Sequence, residues 1–144
     1  MATPIQVVFD CADPARLAQF WATALGYKLQ SPPEGYTSWP EFLAAQGVPE
    51  DEWNAASAIV DPDGPGPRVY FQRVPEAKTG KNRLHLDLNV GGGRGTPPEE
   101  RRRRVDVEVE RLVQAGATRL GALEEEGQYF VAMRDPEDNE FDIQ

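Results

Sequence analysis

One supersecondary unit occurs twice in this chain, and that repeat constrains the fold more than any single element. Each half reads strand, helix, strand, strand, strand. The helices end alike, "ALGYKL" (24–29) against "QAGATRL" (114–120). The third strands also end alike, "VDPDG" (60–64) against "RDPEDN" (134–139). A duplicated unit of this kind buries the apolar side of its strands under its own helix. The repeat predicts an α+β fold: a single domain over 1–144, built of two βαβββ modules, 1–76 and 82–144. A polar stretch, 75–82, with Pro75 and Gly80, separates them.

Local signals support each unit. "PIQVVFD" (4–10) alternates as a strand. Asp13 is a suitable helix N-cap, Pro14 fits the first helical position, and Gly26 is a C-terminal stop. Between them Leu17, Phe20, Trp21, Ala24 and Leu25 recur at helical spacing. Short strands are expected at "YKLQ" (27–30), Ala55 to Val60, and "PRVYFQRV" (67–74), with a short helix at "WPEFLAAQG" (39–47). In the second half "RLHLDLNV" (83–90) alternates as a strand. Thr96 and Glu99 have capping-box spacing ahead of a helix that ends at Gly116. "ATRLGAL", "QYFVAMRD" and "EFDI" complete that half. The helix stripes are expected to pack on Ile5, Val7 and Phe9 and on Leu84, Leu86 and Leu88.

Charge and cysteine content exclude several classes of function. A net charge of −9 argues against nucleic acid as a partner. Arg101 to Arg104 lie among Glu99, Glu100, Asp106, Glu108 and Glu110, which reads as a solvated helix face. No apolar run reaches membrane-spanning length. "MATPIQVVFD" has no basic segment followed by a long apolar run, so no signal peptide and a cytoplasmic location are expected. The one cysteine, Cys11, fits a reducing compartment and reads as a packing residue. "GGGRGT" (91–96) stands between strand and helix as a dinucleotide loop does. There Thr96 replaces the third glycine, and Pro97 and Pro98 remove two backbone donors.

The polar faces of the strands carry the chemistry. His85, Asp87 and Asn89 face away from Leu84, Leu86 and Leu88, as Gln6, Val8 and Asp10 face away from Ile5, Val7 and Phe9. Matching the first strands pairs Gln6 with His85. Matching "FQRV" (71–74) with "FDIQ" (141–144) pairs Gln72 with Asp142. If the curled sheets turn these faces inward, Gln6, Gln72, His85 and Asp142 converge on one cavity from four strands. Asp135 and Asn139 read as turn residues.

The chain resembles the vicinal oxygen chelate superfamily, the glyoxalase and bleomycin-resistance type fold, and within it a glyoxalase-like branch. The resemblance lies in "DPARLAQFWATALGY" (13–27), "DPDGPGPRVYFQRVPEAKTGKNRLHLDLNV" (61–90), "RLVQAGATRL" (111–120) and "MRDPEDNEFDI" (133–143). It implies two βαβββ modules whose mixed sheet curls around a cavity, a homodimer, and a small-molecule ligand. It also implies a divalent metal (Zn, Mn, Fe, Ni or Mg) held from the first and fourth strand of each module. Carried over position by position, the ligands are Gln6, Gln72, His85 and Asp142. Two of these are neutral amides, which bind divalent cations weakly; Asp10, Asp87 and Glu140 stand close by in sequence to supplement them.

Two functional readings follow. In the first, the protein is a metal-dependent lyase, isomerase or dioxygenase. His85 is then a ligand or general base, and Asp142 a ligand or acid/base group. In the second, the cavity holds a drug or metabolite without metal and without turnover. Val8, Asp10, Asp87, Tyr70, Trp39, Trp53 and Glu140 are the candidate ligand-binding residues in either case. The insertion 31–54, with Tyr36, Trp39 and Trp53, is the expected lid.

Overall fold

A computed structural model describes residues 1–144. The chain forms two compact units, Met1–Ala77 and Lys78–Gln144. The first contains β1 (Val7–Cys11), α1 (Pro14–Leu25), β2 (Lys28–Leu29), α2 (Trp39–Ala45), β3 (Ala56–Val60) and β4 (Val69–Arg73). The second contains β5 (Asp87–Leu88), α3 (Pro98–Gln114), β6 (Thr118–Glu125), β7 (Gln128–Arg134) and β8 (Glu140–Ile143). The sheet orders correspond, β1-β4-β3-β2 and β5-β8-β7-β6. In each, the first strand runs parallel to the fourth and the other pairings are antiparallel. This is the α+β architecture of two βαβββ units that the repeat predicts.

In the first unit, Asp13 Oδ1 caps α1 by accepting from Arg16 N at 3.2 Å, and Gly26 ends it at φ 69°. That left-handed φ is where glycine costs least. Leu17, Phe20, Trp21 and Ala24 are buried with Ile59, Val69 and Phe71, so the stripe read from the sequence is the one that packs. Ile5 lies ahead of β1 and is 73% exposed, so it does not join this core. The ladder begins at Val7, level with Val69, and leaves Ile5 without a strand partner.

In the second unit, Val105, Val109 and Leu112 of α3 pack with Val131, Met133, Phe141 and Ile143. Strand alternation then sends Phe130, Ala132, Glu140 and Asp142 to the opposite face. Two local expectations are corrected. Thr96 does not cap α3: the cap position is Pro97, with no side-chain bond. A residue before proline is pushed out of the helical region, so Pro98 holds Pro97 extended and the helix starts one residue late. The strand expected over 83–90 pairs regularly only at Asp87–Leu88. Its partner β8 starts at Glu140, level with His85, so residues before His85 have no ladder to join, and Leu84 is 73% exposed.

The aspartates of the two DP turns hold those turns. Asp61 accepts from the N–H groups of Asp63 and Gly66, each at 2.8 Å. Asp135, buried at 2% exposure, accepts from Glu137 N at 2.8 Å, Asn139 N at 3.0 Å and Asn139 Nδ2 at 2.9 Å. Replacing Asp135 with alanine leaves these donors unmet and lowers stability by roughly 1–3 kcal/mol, read by urea denaturation.

Candidate functional site

In the second unit, β5 and β8 run parallel with Asp87 level with Asp142. Side chains two apart on a strand share a face, so His85 and Asp87 project to the side that carries Asp142. His85 Nε2 lies 3.2 Å from Asp87 Oδ1 and 3.4 Å from Asp142 Oδ2. One ligand atom from each of the three lies within 4.8 Å of the others. The side chains of His85, Asp87 and Asp142 are 46%, 40% and 23% exposed, so the cluster is open to a ligand.

The electrostatics favour a cation. Burial raises the Asp142 carboxyl above its ordinary value and the charge of Asp87 adds to the rise, against the opposing pull of His85 and Lys81. Two carboxylates this close repel one another, and a cation between them relieves that repulsion. Ligands on opposite sides of one ion sit about 4–5 Å apart, given metal–ligand bonds of about 2.0–2.5 Å. The spread of the three donors fits that span. One imidazole nitrogen with two carboxylate oxygens suits the harder divalent ions, Mn, Fe or Mg, better than a thiolate-seeking one. Three protein ligands leave coordination positions for a substrate or water.

Beside the cluster runs a groove of about 570 Å³, lined by Glu125, Glu126, Gln128, Phe130, Asp142 and Gln144. Phe130 is the apolar surface among otherwise polar walls. A pocket of this kind holds a small molecule by an apolar body and a few polar contacts.

The other sequence candidates have their own surroundings. Glu140 shares the face of Asp142 but is engaged by Asn82 N at 3.1 Å and Lys78 Nζ at 3.3 Å. In the first unit, Gln6 is exposed and its Oε1 accepts from Arg68 Nη1 at 2.8 Å. Gln72 is exposed and level with Asp10. Gln6 lies level with Arg68, four residues away along the ladder, or about 13 Å at 3.3 Å per residue. Within that unit Gln6 and Gln72 are therefore not brought together. Arg68 lies over the Tyr70 ring at 5.3 Å from its centroid. Trp39 Nε1 donates to Gln30 O at 2.7 Å and Trp53 Nε1 to Val48 O at 3.0 Å, so both indoles are tied to their own loop. Val8 is 49% exposed, and Cys11 is buried with its thiol 3.6 Å from Gln72 O.

The register also tests the pairing of the halves. With Asp10 level with Gln72, and Asp87 level with Asp142, the pairs Gln6–His85 and Gln72–Asp142 do not both hold. Counted from the two DP turns, Ile59 faces Val69 as Met133 faces Phe141, so the counterpart of Asp142 is Tyr70 and not Gln72, and Gln6 stays the counterpart of His85. Asp87 is the cluster member that sequence reasoning set among the ligand-binding residues and not among the metal ligands. Its signal was the two-residue spacing from His85 in "RLHLDLNV".

Comparison with known proteins agrees with this architecture. A family model described as a glyoxalase-like domain matches residues 6–144. A glyoxalase/bleomycin resistance protein/dioxygenase family enzyme from Burkholderia phytofirmans PsJN is similar, with a TM-score of 0.60 at 17% identity, covering 96% of this chain and 94% of that one. The fosfomycin resistance protein FosX from Listeria monocytogenes has a TM-score of 0.62 at 11% identity, covering 100% of this chain and 90% of that one. That structure is an E126Q mutant complexed with Mn(II) and 1S,2S-dihydroxypropylphosphonic acid. A hypothetical protein, SA1046 from S. aureus, has a TM-score of 0.58 at 19% identity, covering 99% of this chain and 96% of that one. These identities establish the fold and not the reaction. No curated protein matches the sequence. No helix is long and apolar enough to cross a membrane. The duplicated βαβββ unit, its sheet order and the match over 6–144 together show that this chain belongs to the glyoxalase-like domain family of the vicinal oxygen chelate superfamily.

Proposed function

We propose that the protein is a divalent-metal-dependent enzyme of the lyase, isomerase or dioxygenase type, acting on a small molecule in the groove beside Asp142. The observation that carries this reading is the convergence of His85, Asp87 and Asp142 within 4.8 Å. A metal held there supplies Lewis-acid polarisation of substrate oxygens. The chain's own residues do the rest. Phe130 offers the apolar wall, Gln128 and Gln144 offer amide contacts, and Glu125 and Glu126 set a negative rim. Asp87 and Asp142, on adjacent strands, present their carboxylates to the same point as the Nε2 of His85. The presence of Mn(II) in a protein of the same fold supports manganese as the ion to try first. A homodimer in a reducing, cytoplasmic setting completes the proposal, supported by the family resemblance and by the single buried cysteine.

A metal-free binding protein is the second reading, and one observation favours it. His85 already stands between two carboxylates at 3.2 and 3.4 Å, so its imidazole fills the space between them without an ion. Thermal denaturation separates the two. A cation bound only by the folded state stabilises by about 2.7 kcal/mol at a hundred times its Kd, or roughly 5–11 °C for a chain of this size. The enzyme reading expects that shift with Mn(II) and its reversal by chelator. No shift with any of Mn, Fe, Ni, Zn or Mg, together with a shift from a small organic ligand, selects the second reading.

A further inference from the structure

The strand carrying His85 is held where the sheet does not hold it. Its ladder to β8 covers only Asp87–Leu88, and the last backbone bond on that side runs from Asp142 N to Leu86 O at 3.0 Å. Upstream, two side chains exchange bonds with each other's backbone. Asn82 N donates to Glu140 Oε2 at 3.1 Å, and Glu140 N donates to Asn82 Oδ1 at 3.3 Å. Asn82 Nδ2 also donates to Leu84 O at 3.2 Å, and Lys78 Nζ lies 3.3 Å from the same Glu140 oxygen. The Glu140 side chain is 14% exposed. Burial opposes its charge, yet the Asn82 N–H and Lys78 outweigh burial and hold its carboxyl below the ordinary value.

We propose that Asn82 and Glu140 are positioning residues, a reciprocal clasp that aims His85 at Asp142. The inference rests on reading His85, Asp87 and Asp142 as a cation site. With Asp87 level with Asp142, residue 85 is level with Glu140, so the clasp closes at the level of the histidine itself. His85 Nε2 meets Asp87 and Asp142 only if the free end of its strand stays against β8. Without the clasp, residues 82–85 lose their attachment and a 46% exposed imidazole gains rotamer freedom. Residues that orient a metal ligand typically change affinity 10–100-fold when removed, and about tenfold is expected here.

The charge of Glu140 and its hydrogen bond are separable. Glu140→Gln keeps an oxygen to accept from Asn82 N and gives up the ion pair with Lys78. Glu140→Ala loses both, and Asn82→Ala removes the acceptor of Glu140 N and the bond to Leu84 O while the backbone N–H of residue 82 still reaches Glu140. His85 is the only histidine, so its ring gives one isolated set of NMR signals. The experiment is Mn(II) titration of the full chain, with the metal-free imidazole spectrum recorded for each variant and the amide spectrum as a check of folding. Glu140→Ala and Asn82→Ala bind Mn(II) about tenfold more weakly and show displaced or broadened His85 signals. Glu140→Gln stays near the natural protein in both. Wild-type ring signals in Glu140→Ala and Asn82→Ala overturn the clasp, as does a Glu140→Gln loss as large as that of Glu140→Ala. Failure of the natural protein to take up Mn(II) overturns the cation-site reading alone; the ring signals then decide the clasp.

Discussion

Replacing Asp142 with asparagine weakens divalent-cation binding at least about 100-fold and raises the melting temperature at neutral pH. The first effect follows from removing one of two carboxylates in a three-donor set, in which only His85 and Asp87 then remain. The second follows from the direction of the Asp142 shift. Burial first, and the charge of Asp87 next, raise its carboxyl in the folded state. A carboxyl raised on folding is deprotonated earlier in the unfolded chain, so stability falls as pH climbs from the ordinary carboxylate value through the folded one. At neutral pH that penalty is fully present, and asparagine removes it. The gain of Asp142→Asn shrinks as pH drops into the carboxylate range, where Asp142 is protonated. Melting curves across pH, with Mn(II) titrations beside them, measure both effects. A loss of stability at neutral pH would make Asp142 a structural residue, because functional sites characteristically sacrifice stability.

Trp21→Ala lowers stability by roughly 3–5 kcal/mol, the largest single loss expected in the chain. Trp21 is 1% exposed. Its ring lies 5.1 Å from Phe9 and 5.4 Å, edge-on, from Phe20, and Phe9 stacks on Phe71 at 5.5 Å. Removing the indole opens a void between α1 and β1 that these rigid rings cannot close. Urea denaturation followed by circular dichroism gives the value. A cost under about 1 kcal/mol would mean that α1 does not pack on its sheet through this residue.

The core around Trp21 was legible because helical spacing and capping are local codes. Asp13, Pro14 and Gly26 mark the ends of α1, and the stripe between them has one way to face the sheet. The face of the candidate site was legible for the same reason: strand alternation puts Gln6, Val8 and Asp10 on one side whatever the register. The level along the strand was not. Period two makes Tyr70 and Gln72 equivalent to the eye, and aligning "FQRV" with "FDIQ" favoured Gln72 as the match for Asp142. Only the ladders fix the level: Ile59 faces Val69 as Met133 faces Phe141, which sets Tyr70 where Asp142 stands. The shortness of β5 was hidden too, because the alternation of "RLHLDLNV" continues past the point where β8 offers a partner. Pro97 shows the converse: a local capping box at Thr96 yields to the backbone restriction imposed by two successive prolines.

The claim on which the function rests is that His85, Asp87 and Asp142 hold one cation together. Diffraction from crystals soaked in Mn(II), collected at the manganese edge, tests it most directly. The expected result is one anomalous peak within about 2.0–2.6 Å of His85 Nε2 and of an oxygen from each aspartate. Density that places the ion elsewhere, or an imidazole still bridging the two carboxylates at saturating Mn(II), would contradict it.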